Sequence, residues 1–267
     1  MAADPTTTRD VGEAEIHIHE YGAPNPPALI LVHGLTDDGT CWPDAVERWK
    51  DRWHILAVDQ RGHGRSPKFT EEQLPDSSGV LVDDLLGILT RLAEPAIVVG
   101  HSLGGLIAAR AATRAPELVR ALVLEDPAKP REHWTGPENT EFTRQQLAFV
   151  EAVSNDPNHE LARMLTETPW TETELEGWAS SKALVDRGYL AGGLSLGDTA
   201  WESMFDALTV PTLILVPVDG EMAPDPALIA NPLVAVVELP GVGHCIRRDD
   251  GEAYHAIVDP FLARHAR

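Results

Sequence analysis

Apolar residues gather in short unbroken runs, separated by polar and glycine-rich stretches. Ala28–Gly34 (ALILVHG), Ala96–Gly100 (AIVVG), Ala121–Pro127 (ALVLEDP) and Thr212–Pro217 (TLILVP) each carry at least four consecutive apolar residues. Such runs suit strands buried on both faces. His54–Ser66 (HILAVDQRGHGRS) and Leu233–His244 (LVAVVELPGVGH) repeat the pattern and pass into glycine-rich turns. Ala14–Gly22 (AEIHIHEYG) instead alternates apolar and polar positions, which predicts an edge strand. Between the runs the spacing turns helical. Leu81, Leu85, Ile88, Leu89 and Leu92 share one face of Gly79–Ala93, a small-residue helix fits Gly104–Pro116, and Gly251–Ala266 reads as a closing helix.

Buried strands alternating with helices predict an α/β fold: a mostly parallel sheet with helices on both faces. In such sheets the crossovers are right-handed and reactive groups gather at the carboxyl ends of the strands. Residues 129–207 break the alternation, being polar, helix-like and free of any buried-strand pattern. A connection that long is no ordinary loop. It predicts a helical cap inserted between two late strands of a core built from residues 1–128 and 208–267. The aromatics of the cap are expected to form a small core of their own, with Trp134, Trp178 and Tyr189 lining a substrate pocket.

Charge narrows the function classes. The chain has 267 residues, 43% of them hydrophobic, with 21 basic and 42 acidic residues and a net charge of −21. That size supports one sizeable domain. That charge keeps a protein soluble and repels phosphate backbones and anionic lipid, so neither nucleic acid nor a membrane surface is an expected partner. Two cysteines make no disulfide framework, the N-terminal residues lack the pattern of a signal peptide, and no apolar stretch would span a bilayer. The expectation is a cytoplasmic protein.

One stretch carries chemistry. Gly100-His101-Ser102-Leu103-Gly104 follows a buried strand and opens a helix, so its G-x-S-x-G pattern predicts a nucleophile elbow. Small residues flank the serine because the turn is too tight for Cβ atoms. The Leu103 N–H and the helix dipole then face a developing oxyanion. Ser102 needs a base, and His244 stands in a glycine-rich loop after the last strand, in the order expected of this architecture. His33 is expected to shape the oxyanion loop and His101 to point elsewhere. His17 and His19 form an H-x-H pair with no third metal ligand near them in sequence, so no metal site is assigned.

With His33-Gly34, the turn Asp59-Gln60-Arg61-Gly62-His63-Gly64-Arg65-Ser66, the serine motif and Gly243-His244, the chain resembles the α/β-hydrolase superfamily over nearly all of its length outside the cap. The resemblance implies an oxyanion hole made by the N–H groups of Leu35 and Leu103. It leaves the acid open. Many relatives carry an aspartate in a G-x-x-D turn after the strand that follows the cap, where this chain reads Pro217-Val218-Asp219-Gly220-Glu221. Others use an acid 24 residues beyond the nucleophile, which here is Asp126. Asp126 is the first candidate and Asp219 the alternative, with Glu125 and Glu221 behind them. The implied activity is that of a serine hydrolase on a medium-sized apolar ester, lactone or similar acyl substrate, with no cofactor. The same machinery serves acyl transfer, perhydrolysis and carbon–carbon cleavage, and a ligand-binding receptor on this fold is the rival of another class. A serine nucleophile disfavours epoxide hydrolysis and dehalogenation, which need a carboxylate.

Overall fold

The computed structural model describes residues 6–11, 14–24, 27–130, 137–192, 194–197 and 200–266. Eight strands form one sheet in the order β1-β2-β4-β3-β5-β6-β7-β8. They are β1 (Thr6–Val11), β2 (Ala14–Tyr21), β3 (Ala28–Val32), β4 (His54–Val58), β5 (Ala96–His101), β6 (Val119–Glu125), β7 (Thr212–Pro217) and β8 (Val234–Leu239). From β4 to β8 across the sheet all pairings are parallel, while β1 and β2 pair antiparallel. The expected edge strand is therefore second in the sheet, because β1 hydrogen-bonds along its outer side.

The unbroken apolar runs have a simple cause. Alternate residues of each central strand enter opposite cores. Ile30, Val32, Leu56, Val58, Val98, Leu122, Leu124, Ile214 and Val216 face one side, where α2 (Ser77–Leu89) and α3 (Leu103–Arg114) cover them. Leu29, Leu31, Ile55, Ala57, Ile97, Val99, Ala121, Val123, Leu213 and Leu215 face the other, under α1 (Pro43–Trp49) and α10 (Gly251–Arg264). Both faces being apolar, no polar position survives within a run. The short α1 was not predicted: its apolar face is confined to Ala45, Val46 and Trp49, too few to establish a period. The Asp76 side chain accepts the Gly79 N–H to start α2, and Asp250 accepts the Ala253 N–H to start α10.

Between β6 and β7 the described residues form the helices α4 (Pro137–Asn155), α5 (Pro157–Glu167), α6 (Glu172–Ser181), α7 (Arg187–Gly192) and α8 (Trp201–Asp206), with no strand among them. Val153, Leu175, Trp178 and Ala179 make one small core among them, and Val150, Val185 and Leu190 a second. The four-residue α9 (Ile246–Asp249) follows the loop that carries His244. Among the described residues, no helix is long and apolar enough to cross a membrane.

α3 lies unusually close to the sheet because its inner face is built from Gly104, Gly105, Ala108, Ala109, Ala111 and Ala112, all buried. A Cβ at Gly104 would stand 2.1 Å from the Val32 carbonyl oxygen, a backbone atom that cannot step aside. Gly104→Ala is therefore expected to lower the unfolding free energy by about 3 kcal/mol or more. Urea melts read this directly, and an unchanged midpoint would mean that α3 does not approach β3 in this way.

Candidate active site

Among the described residues, four non-glycine residues have a left-handed backbone: Thr36 (φ 71°), Ser102 (φ 51°), Asp126 (φ 37°) and Asp219 (φ 58°). They follow the carboxyl ends of β3, β5, β6 and β7, and all four line one cavity of about 1110 Å³. Each such residue costs about 1–3 kcal/mol and persists only where its surroundings hold it. The strain is concentrated where the sheet presents its reactive end.

At Ser102 the surroundings are specific. The chain leaves β5 and enters α3 within one residue, and a Cβ at Gly100 would lie 2.5 Å from the Gly104 carbonyl oxygen. The Ser102 N–H donates to the Glu125 carbonyl at 2.9 Å, and the Ser102 carbonyl accepts from Ala128 N–H at 2.8 Å and Leu106 N–H at 3.1 Å. Its hydroxyl caps no helix N–H. Leu103 is the first residue of α3, so its N–H has no acceptor within the helix.

His244 faces the same cavity. Its Nδ1 lies 2.6 Å from Asp126 Oδ2, which fixes Nδ1–H as the donor and leaves Nε2 free. Among the carboxylates weighed from sequence, Asp126 is the one bonded to His244. Glu125 turns away and accepts the Arg247 N–H at 2.7 Å, with burial raising its pKa. Asp219 is exposed on the cavity wall, and Glu221 lines the wall beyond it. His101 packs against the His244 ring, centroids 4.7 Å apart, and its Nε2–H donates to the His244 carbonyl at 3.1 Å. Burial, with the neighbouring His244 and Arg248, holds the His101 pKa well below its usual value.

The loop after β3 brings Leu35 to the cavity. His33 shapes this loop from behind. Its Nδ1–H donates to the Gly34 carbonyl at 2.7 Å and its Nε2 accepts the Gln60 N–H at 3.0 Å. Next to it, His63 accepts the Thr36 N–H on Nε2 at 3.4 Å and donates from Nδ1 to the Arg61 carbonyl at 3.0 Å. Both imidazoles are buried, and burial lowers both pKa values, that of His63 to about 3.

Behind the cavity is a buried ionic cluster that sequence reasoning missed. Glu174 of α6 takes both Arg247, through a bidentate pair, and Arg248 (Nε 3.0 Å). Arg248 also reaches Asp37 (2.8 Å), and Asp37 accepts Lys182 Nζ at 2.6 Å. Burial would raise the Asp37 and Glu174 pKa values, but the adjacent cations outweigh it and hold both carboxyls below the usual range. Removing one partner from such a buried pair costs about 3–5 kcal/mol. The two arginines lie three and four residues after His244, yet nothing local in sequence tells a buried charge from a solvated one.

Of the residues expected at the substrate, Trp178 lines the cavity, together with Phe142, Phe149 and Trp170 from the same helical segment. Tyr189 does not. It is buried in the main core, stacked on Phe69 at 4.5 Å and edge-on to His63 at 5.9 Å. Trp134 lies outside the described residues. The H-x-H pair has a third neighbour after all. Strand pairing brings Asp59 to it, and ligand atoms of His17, His19 and Asp59 lie within 4.8 Å of one another. The carboxylate is already engaged there: Oδ1 accepts from Gly39 N–H (2.7 Å) and His19 (3.0 Å), and Oδ2 accepts from Arg65 N–H (2.8 Å).

The neutral His63 sets an acid limit on stability. Its folded pKa is depressed, whereas an unfolded histidine takes up a proton near pH 6.5. Below that pH the unfolded chain binds more protons, so stability falls as pH drops from about 6.5 toward 3, by up to about 1.4 kcal/mol per pH unit for each such residue. Melting temperature is expected to fall between pH 7 and pH 5, and His63→Gln is expected to flatten that slope. An identical slope in the variant would show that His63 takes up its proton at the same pH in the folded and unfolded chain.

A family model described as "Alpha/beta hydrolase family" matches residues 29–257. A 2-(acetamidomethylene)succinate hydrolase of Mesorhizobium japonicum is 36% identical over 129 residues, 47% of this chain and 45% of that one. A pimeloyl-[acyl-carrier protein] methyl ester esterase of Nitrosomonas europaea is 34% identical over 157 residues, 57% of each chain. The matched stretch thus spans about half the length of these curated relatives. A crystal structure of E-2-(acetamidomethylene)succinate hydrolase superposes with a TM-score of 0.74 at 25% identity, covering 97% of this chain and 98% of that one. With the family model matching most of its length, the chain belongs to the alpha/beta hydrolase family.

Proposed function

We propose that the protein is a serine hydrolase that cleaves a carboxylic ester, lactone or related acyl bond through an acyl-enzyme. The observation that carries this reading is the pairing of His244 Nδ1 with Asp126 Oδ2 at 2.6 Å, beside a strained Ser102 on the wall of the same cavity. Curated relatives named as a hydrolase and a methyl ester esterase support the reaction class.

In this mechanism His244 Nε2 takes the Ser102 hydroxyl proton as Oγ attacks the substrate carbonyl. The N–H groups of Leu35 and Leu103 hold the developing oxyanion, each worth about 3–4 kcal/mol in comparable sites. Asp126 keeps His244 in the tautomer that leaves Nε2 free and stabilises the imidazolium. The imidazolium then protonates the leaving alcohol, and the acyl group stays on Oγ. Water, deprotonated by His244, attacks the acyl-enzyme; the acyl–Oγ bond breaks, His244 returns the proton to Ser102 Oγ, and the acid is released. Residues 129–207 act as a cap on this site, with Phe142, Phe149, Trp170 and Trp178 supplying an apolar wall for a medium-sized acyl group.

A fluorophosphonate probe and p-nitrophenyl acetate test the assignment. Wild type is expected to label on one serine, and Ser102→Ala to abolish labelling. Asp126→Asn is expected to lower kcat by about 10³–10⁴-fold, as loss of the orienting acid does elsewhere, with Asp219→Asn within about threefold of wild type. An unlabelled wild type would overturn the serine mechanism. A collapse of turnover in Asp219→Asn alone would move the acid to that position.

A further inference from the structure

A lysine from the helical segment is wholly enclosed at the back of the loop that carries Leu35. Lys182 is 1% exposed, and its ammonium has three polar partners: the Thr36 carbonyl at 3.1 Å, Asp37 Oδ1 at 2.6 Å and Ser181 Oγ at 3.0 Å. Two aromatic faces close the remaining side, with Trp178 at 5.3 Å and Phe149 at 5.9 Å from ring centroid to Nζ. Lysine is almost never buried so completely without a specific use for all three of its N–H bonds.

What those bonds hold is unusual. Thr36 is β-branched, a residue type for which a left-handed backbone is a genuine outlier, and its φ is 71°. It directly follows Leu35. Its N–H is held by His63 on one side, and its carbonyl on the other by Lys182 at 3.1 Å and by the Ser181 hydroxyl at 3.3 Å, so the residue is clamped at both ends. A strained turn stays put only while such contacts over-determine it. If Thr36 relaxed, the Leu35–Thr36 peptide would rotate and Leu35 would shift with it.

The geometry points to Lys182 as a positioning residue for catalysis: through the Thr36 carbonyl it locks the strained turn that aims the Leu35 N–H at the oxyanion. The inference rests on the proposed serine mechanism. It makes the segment between β6 and β7 part of the oxyanion machinery, although that segment donates nothing to the oxyanion itself. A second reading, in which Lys182 only stabilises the fold, predicts a different pattern of rescue.

The test uses the full-length protein and a small alkyl fluorophosphonate, whose phosphonylation rate reports the oxyanion hole without needing the natural substrate. Lys182→Met is expected to slow phosphonylation by about 10–100-fold. Adding Thr36→Gly, which adopts positive φ freely, is expected to restore much of the rate while leaving the melting temperature low. Should Lys182→Met fail to fold, Ser181→Ala loosens the same clamp more gently, removing one partner of the ammonium and the hydroxyl's own bond to the Thr36 carbonyl, and is expected to slow the reaction about threefold. A folded Lys182→Met at the wild-type rate, a double variant no faster than Lys182→Met, or an unaffected Ser181→Ala where that variant is the one measured would each overturn the inference. A wild type that fails to react overturns the serine mechanism itself, and with it this role, which keeps the two failures distinguishable.

Discussion

The structure depends on one forced change of direction. At Ser102 the backbone passes from strand to helix with φ 51° and ψ −116°, and that turn exists only because Gly100 and Gly104 let two backbones touch. The small inner face of α3 follows from the same requirement, since a helix that starts this close to the sheet must stay close. Burial of the strands on both faces supplies the rigidity that holds the turn. The cost of strain is met by the core, and what it gains is a hydroxyl held out at the edge of a cavity.

The same arrangement recurs along the sheet. The segments that follow β3, β5, β6 and β7 each hold a left-handed non-glycine residue, and those four residues line one cavity. Parallel strands make this possible, because their carboxyl ends all lie on one side. Chain segments far apart in sequence then meet behind the ring through buried charges. Arg247 and Arg248 belong to α9, just after the histidine loop, Asp37 to the loop after β3, and Glu174 and Lys182 to the helical segment. A network of this kind is fully paired or very costly, so its members are fixed relative to one another.

Much of this was legible in the chain, and the rest was hidden for physical reasons. Strands buried on both faces leave an unmistakable signature, and a serine between glycines at a strand end has few other uses. His244 stood out as a candidate by its place in the chain order. Asp126 and Asp219 could not be told apart from sequence, because both follow strand ends and carry the same local strain, and the hydrogen bond to His244 that favours Asp126 exists only in three dimensions. The charge cluster was invisible because Lys182 bonds Asp37 across 145 residues and Arg248 bonds it across 211, distances over which no local pattern survives. Tyr189 misled for the opposite reason: an aromatic in a polar helical stretch serves the main core as readily as a pocket. The neighbourhood of Asp59 and the two strand histidines, likewise, follows from strand pairing rather than spacing.

The central claim is that the strained strand ends aim Leu35 and Leu103 N–H groups at one point beside Ser102. A crystal structure of the protein after reaction with a small alkyl fluorophosphonate tests it most directly. The account predicts a bond from phosphorus to Ser102 Oγ, with the phosphoryl oxygen about 2.7–3.1 Å from both amide nitrogens. An adduct on another residue, or a phosphoryl oxygen turned away from both amides, would contradict it.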